Sequence, residues 1–211
     1  LNIHKFSKML FEDNELFTVG TRGRIIYNLP DADMVLIDSF ISKEDSDFYY
    51  KRFLDSTEWT EYEMKMYDKN VKAPRLISWH EDSDLDNSAK AFTKDLNDIR
   101  LKVQNETKQH FNAVLLNLYR NGNDSVSWHS DKIHRTSIDP VIASVSFGET
   151  RMFKLRHKTR KDIPIVEIPL YHGTFLLMSG TTNSFWEHQV PRTSRKILPR
   201  INLTFRQLIR N

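Results

Sequence analysis

Apolar residues recur at two different spacings along the chain, and the spacing changes near residue 110. Before that point, two segments carry apolar residues three and four positions apart, which predicts helices over 43–55 and from Ala89 to about His110. Ser42, which is followed by acidic residues, is typical of a residue that caps a helix. In residues 59–80, apolar and charged residues alternate on either side of a turn signal, which predicts a hairpin. One more strand is expected near Arg24–Tyr27.

After residue 110 the chain consists of short strand-like runs separated by turn signals such as Asn-Gly and Asp-Pro. The runs are Val114–Leu118, Val141–Phe147, Arg151–Arg156, Ile163–Ile168, Thr174–Met178 and Ile201–Phe205. This pattern predicts a mainly β fold with flanking helices, in the form of an antiparallel sandwich or barrel. We expect residues 1–109 to form an N-terminal extension that packs on a β core of residues 110–211, in one structural unit.

The composition narrows the chemistry that this fold can carry. The 211 residues are 39% hydrophobic, which is not typical of a disordered chain. They include no cysteine, which excludes disulfides, thiolate nucleophiles and thiolate metal sites, so a transition metal would need histidine and carboxylate ligands. The net charge of +3 permits an anionic partner. The short apolar runs and the lack of a signal pattern lead us to expect an intracellular, monomeric protein with no membrane partner.

Two histidines have informative neighbours. In Trp128-His129-Ser130-Asp131, a strand would place His129 and Asp131 on the same side, because residues two apart share a face. With one further histidine they would form the facial triad of two histidines and one carboxylate that holds Fe(II). His188 follows the apolar run that ends at Met178 and a Ser-Gly turn, so it can lie on the next strand. The alternatives are an aspartate that caps a turn and histidines that are simply packed or exposed.

The segment Arg200–Arg206 alternates strictly between polar and apolar residues. It could be an amphipathic edge strand with a solvated polar face. If its polar face instead lined a barrel interior, the two arginines could bind a dicarboxylate. Asn117 and Tyr119 share one side of another predicted strand and would add an amide and a phenol to the same pocket.

Seven blocks, in order and with their spacing intact, resemble the AlkB family of Fe(II)- and 2-oxoglutarate-dependent dioxygenases, in particular its DNA-repair members. The blocks are Asn117–Gly122, Trp128–Asp131, Ala143–Gly148, Arg151–Arg156, His172–Gly180, His188–Pro191 and Arg200–Arg206. The resemblance implies a double-stranded β-helix, or jelly roll, with N-terminal helices packed on the sheet. It also implies Fe(II), 2-oxoglutarate and O₂ as cofactors.

The same resemblance assigns roles to residues. His129, Asp131 and His188 would ligate and activate the iron, and Arg200 with Tyr119 would hold the distal carboxylate of 2-oxoglutarate. The rest of the co-substrate site would be lined by Asn117, Asn202, Thr204 and Arg206. The implied reaction is oxidative demethylation of bases such as 1-methyladenine and 3-methylcytosine in DNA or RNA, which releases formaldehyde, succinate and CO₂.

For nucleic-acid contacts, the resemblance points to the hairpin and to the segment Ala73–Trp79. Met66 and Tyr67 are candidates for a wedge that replaces a flipped base, although Met66 could equally be a core residue. Arg75, Trp79 and Lys132 are the other expected substrate-binding residues.

The basic stretch 151–161 could follow phosphates or could be a solvated hairpin. An acidic loop after Trp79 and the residue Lys132 depart from the pattern of the repair members. They leave the target base and the choice of DNA or RNA open. The alternatives are a dioxygenase that acts on a different substrate and a silent nucleic-acid-binding module.

Overall fold

A computed structural model describes residue 20 and residues 23–66, 69–82, 89–131, 136 and 139–209. Three helices are present in these ranges: α1 (Lys43–Ser56), α2 (Lys94–Thr107) and the single turn α3 (Thr182–Phe185). Strands β1 to β6 are Arg24–Leu29, Ala32–Ile37, Thr60–Met66, Lys69–Glu81, Ala113–Tyr119 and Val126–His129. Strands β7 to β12 are Ile142–Gly148, Arg151–His157, Val166–Leu170, Phe175–Ser179, Trp186–Val190 and Arg200–Arg206.

The twelve strands form two antiparallel sheets. The large sheet has the order β1-β2-β10-β7-β12-β5-β4-β3, and the small sheet has the order β6-β11-β8-β9. This arrangement confirms the predicted mainly β, jelly-roll class. The large sheet combines strands from both sides of residue 110, with β1 and β2 at one edge and β4 and β3 at the other.

The two long helices are held against the large sheet by one shared core. Tyr49 and Phe53 of α1 and Ile99 of α2 are buried in a cluster with Leu116 of β5 and Leu203 of β12. Burying one such side chain fully contributes roughly 1.5–3 kcal/mol. A second cluster contains residues of both sheets and fills the space between them.

Three local boundaries differ from the sequence prediction. Helix α2 is shorter than the predicted segment, because Thr93 caps its start and Lys108 adopts the left-handed conformation, with a φ of 57°, at its end. Strand β9 lies at Val166–Leu170 instead of Ile163–Ile168, and it includes Pro169. A proline is tolerated there because β9 is the edge strand of the small sheet.

Within the described ranges, none of the helices is both long and apolar enough to cross a bilayer.

Candidate metal and co-substrate site

The small sheet brings two predicted metal ligands face to face. His129 is the last residue of β6 and lies directly opposite His188 of β11 in the strand register, with 4.3 Å between the ring centroids. Asp131 follows two residues after β6, and its Oδ1 atom is 3.7 Å from the Nε2 atom of each histidine. One ligand atom from each of the three residues lies within 4.8 Å of the others, which could hold one metal ion.

The protonation states of these residues suit metal binding. Burial lowers the pKa of His188 to about 4, against the attraction of Asp131. Burial alone would raise the pKa of Asp131, but the attraction of Arg206 and His188 outweighs it and brings that pKa to about 2. At neutral pH the structure therefore presents a neutral imidazole and an ionised carboxylate, the forms that bind a metal.

The surroundings also orient the ligands. His129 places its Nδ1 atom 2.8 Å from the carbonyl oxygen of Ser127. Because a carbonyl oxygen only accepts, Nδ1 donates this bond, and Nε2 is the ring atom that faces Asp131. The ring of Phe153 stacks on His188 with 5.1 Å between the centroids. Arg206 donates from Nε and Nη2 to the Oδ2 atom of Asp131, at 2.9 and 2.5 Å.

Arg200 is buried beside this triad, with 1% of its surface exposed. Its Nη2 atom donates to Ser146 and to the Oδ1 atom of Asn202, both at 2.9 Å. Its Nε and Nη1 atoms have no hydrogen-bond partner in the part of the chain that is described. Burial lowers the pKa of Arg200 to about 10, so the group stays charged at neutral pH. A buried cation with two free N–H groups is a site for an anion, and a carboxylate fits it.

Strand pairing places the other predicted co-substrate residues around Arg200. Tyr119 lies opposite Arg200, and Asn117 lies opposite Asn202, across the β5–β12 register. The Asn202 side chain links polar residues of β7 and β12, because it accepts a hydrogen bond from Ser144 at 2.7 Å and donates one to Thr204 at 2.8 Å.

All nine residues predicted to bind metal and co-substrate line one pocket between the two sheets, with a cavity volume of about 80 Å³. Arg75, predicted to contact the substrate, lines it too. Its Nε atom donates to Asn117 at 2.8 Å, and its Nη1 atom is buried with no partner among the described residues. Arg75, which is predicted to contact the substrate, therefore also contacts a residue predicted to bind the co-substrate.

Of the remaining predicted substrate residues, Trp79 alone has its side chain within the described part of the chain. Trp79 is partly buried and donates to Glu81 at 2.5 Å, and it is absent from the pocket lining. Tyr67, Lys132 and the side chain of Met66 lie outside the described residues, so their predicted roles stay predictions.

The basic stretch 151–161 does not form an open cationic face. Arg151 is buried and donates to the carbonyl oxygens of Asn121, Asp124 and Pro191, at 3.3, 2.8 and 2.6 Å. Its guanidinium also lies 5.5 Å from the centre of the Tyr119 ring. Carboxylates pair with three further members of the stretch: Lys154, Arg156 and Arg160. A solvated hairpin describes these contacts better than a phosphate-binding face.

Sequence reasoning missed the polar residues that support the site. Ser144 and Ser146 recur two apart within the apolar run of β7, and this alternation could have revealed that they face β12. Arg151 gave no such signal, and neither did Asn183, whose side chain accepts a hydrogen bond from the Asp131 N–H. The partners of both residues lie far away in the sequence.

A double-sheet β fold with a His-Asp-His cluster and a buried arginine in the same pocket defines a class of protein, the 2-oxoglutarate-dependent oxygenases with one iron. The family model for the 2OG-Fe(II) oxygenase superfamily matches residues 33–206, and the chain therefore belongs to that superfamily. The donor set of two histidines and one aspartate fits Fe(II), which the superfamily uses with 2-oxoglutarate and O₂.

Comparisons with individual proteins support the predicted resemblance to the AlkB family. The chain is 34% identical over 186 residues to the alpha-ketoglutarate-dependent dioxygenase alkB homolog 3 of Bos taurus, covering 81% of this chain and 64% of that protein. It is 38% identical over 128 residues to the human DNA oxidative demethylase ALKBH2, covering 58% and 49%. The chain thus spans slightly less than two thirds of the first of these relatives.

A solved structure, titled "The structure of OsALKBH1", is similar in fold. It has a TM-score of 0.58 and 18% identity, and the match covers 86% of this chain and all of that one. At that identity the likeness concerns the fold alone, and it agrees with the jelly roll described above.

Proposed function

We propose that this chain is an oxidative demethylase of alkylated nucleic-acid bases of the 1-methyladenine and 3-methylcytosine type. His129, Asp131 and His188 would hold Fe(II), and Arg200 with Tyr119 would hold the distal carboxylate of 2-oxoglutarate. Thr204, Asn202 and Asn117 would shape the rest of the co-substrate pocket. The substrate would be DNA or RNA within the cell.

The observation that carries the proposal is the pair of free, buried N–H groups of Arg200 in the same pocket as the triad. A dicarboxylate is the ligand class that satisfies this arginine at one end and reaches the triad at the other. Arg206 occupies the Oδ2 atom of Asp131 and leaves Oδ1 directed at the histidines. We therefore assign Arg206 to orienting the metal ligand as well as to lining the co-substrate pocket.

Bound Fe(II), with 2-oxoglutarate and O₂, would supply the oxidation of the N-methyl group, and the hydroxylated methyl then leaves as formaldehyde. The chain's own residues do the positioning. Phe153 covers one face of the His188 ring, and the buried arginines would fix the co-substrate. The target base has to leave its stack to reach the triad.

Two observations support a nucleic-acid substrate. The relatives named above include a protein described as a DNA oxidative demethylase. In addition, the loop 191–199 joins β11 to β12 and carries Arg192, Arg195 and Lys196, which are exposed and form no ion pair with any described residue. Val190 and Arg200, which flank this loop, line the pocket, and exposed cations in the loop are suited to phosphates, in contrast to the paired cations of 151–161.

The test is an incubation of the chain with Fe(II), ascorbate, 2-oxoglutarate and an oligonucleotide that contains one 1-methyladenine or 3-methylcytosine. Mass spectrometry should show the loss of one methylene from the oligonucleotide, with stoichiometric succinate. The unmodified oligonucleotide and the His129→Ala variant are the controls. Succinate that forms only with another kind of substrate would favour a different hydroxylase, and oligonucleotide binding without turnover would favour a silent binding module.

A further inference from the structure

The main chain of Asp131 is held by a side chain from a distant segment. The Asn183 side chain accepts a hydrogen bond from the Asp131 N–H at 2.8 Å and donates one to the Asp131 carbonyl oxygen at 3.1 Å. An amide is suited to this contact, because it offers one acceptor and one donor at neighbouring positions. Asn183 therefore fixes both polar groups of one residue that lies beyond the end of β6, where no strand partner holds it.

The turn that presents Asn183 is itself anchored on both sides. Thr182, which is buried, donates to Ser179 at 2.6 Å and accepts from the N–H of Asp33 at 2.9 Å. Lys158 donates to the carbonyl oxygens of Asn183 and Ser184, at 2.9 and 2.8 Å. Because these contacts fix α3 to β2 and to the end of β8, the amide is a rigid support.

Two residues together define the orientation of the Asp131 carboxylate. Asn183 holds the main chain, Arg206 binds Oδ2, and Oδ1 is then directed at both histidines. The same turn α3 leads directly into β11, which carries His188. The turn α3 thus positions two of the three candidate ligands. It holds Asp131 through the side-chain amide of Asn183, and it positions His188 because the chain runs directly from α3 into β11.

We infer that Asn183 is a positioning residue of the metal site, which acts on the metal through the main chain of Asp131. Groups that orient metal ligands typically change metal affinity or activity by 10- to 100-fold when they are removed. The inference rests on the proposed function, because it requires the triad to bind the metal.

The experiment measures the affinity of the metal-free full chain for Co(II), a spectroscopic substitute for Fe(II), by titration followed through the visible absorption of the bound ion. Asn183→Ala should weaken Co(II) binding by about 10- to 100-fold and alter the absorption bands. Asn183→Asp keeps an acceptor for the Asp131 N–H and loses the donor, so it should give a smaller loss. Thermal melting without metal, measured separately, establishes that each variant is folded at the titration temperature.

Ser184→Ala is the matched control. Ser184 is the next residue of the same turn, it is exposed, and its hydroxyl donates to the Asp139 carboxylate and not to Asp131. It should bind Co(II) as the wild type does. Unchanged affinity and spectrum in both Asn183 variants, or an equal loss in Ser184→Ala, would overturn the inference while leaving the proposed function intact. A wild-type chain that binds no Co(II) would overturn both.

Discussion

Replacing Arg200 by methionine should separate co-substrate binding from folding. Arg200 is 1% exposed, and two of its N–H groups, on Nε and Nη1, have no partner among the described residues. A hydrogen bond from a charged donor contributes about 1.5–3 kcal/mol, so two bonds to a carboxylate contribute about 3–6 kcal/mol. Because about 1.4 kcal/mol is a factor of ten, Arg200→Met should raise the Kd for 2-oxoglutarate by about 10²- to 10⁴-fold.

The same substitution should leave the stability of the metal-free protein nearly unchanged. Methionine has a similar length and brings no charge into the core, while Asn202 keeps its bond to Ser144. A change within about 1 kcal/mol corresponds to a Tm within about 4 °C of the wild type for a chain of this size.

The assay is calorimetric titration of 2-oxoglutarate into the Mn(II)-loaded protein, together with thermal melting of the metal-free protein. Arg156→Met is the matched control, because Arg156 is half-exposed on the small sheet and pairs with Glu187 at 2.7 Å. It should bind 2-oxoglutarate normally. Normal 2-oxoglutarate affinity in Arg200→Met, combined with a large fall in Tm, would refute the reasoning and identify Arg200 as a structural residue.

Three further predictions concern Arg206, His129 and the buried His172. Arg206→Met should lower the Tm by about 6–20 °C in a melting experiment, because it leaves the Asp131 carboxylate buried without its cation at a cost of about 3–5 kcal/mol; a Tm equal to that of the wild type would contradict this. His129→Ala should abolish succinate production with little change in Tm, since this side chain is 37% exposed, and retained turnover would remove His129 from the ligand set. Burial lowers the pKa of His172, although the attraction of Asp47 opposes this shift. The folded protein therefore favours the neutral imidazole. The resulting contribution to the free energy of unfolding is complete above the ordinary pKa of about 6.5 and is lost as the pH falls through the folded-state pKa. Between pH 7.5 and 5 the Tm of the wild type should therefore fall more than that of His172→Gln, and equal slopes would argue against this effect.

The sequence predicts those parts of the structure that depend on local alternation. The apolar residues of β12 lie in the core beneath the two long helices, and the polar residues that alternate with them line the pocket. The two environments therefore impose the alternation of polar and apolar residues in Arg200–Arg206. Residues two apart also suffice to suggest His129 and Asp131 as neighbours. The strand boundaries follow less well, as β9 illustrates, because its position is decided by pairing with β8.

Contacts between distant segments explain the rest. The charge of Arg151 suggested a surface residue, yet its guanidinium reaches carbonyl oxygens 27, 30 and 40 residues away. Asn183 lies 52 residues from the main chain that it holds. Such contacts depend on how the two sheets meet, and no local spacing encodes that arrangement.

The direct pairing of His129 with His188 determines which changes of chain length this protein tolerates. Because side chains alternate along a strand, one residue inserted into β11 before His188 would turn its imidazole to the outer surface of the small sheet. Insertions in the loop 191–199 leave that register intact. During divergence or engineering, length variation is therefore expected to accumulate in the connecting loops, while the five residues of β11 keep their number.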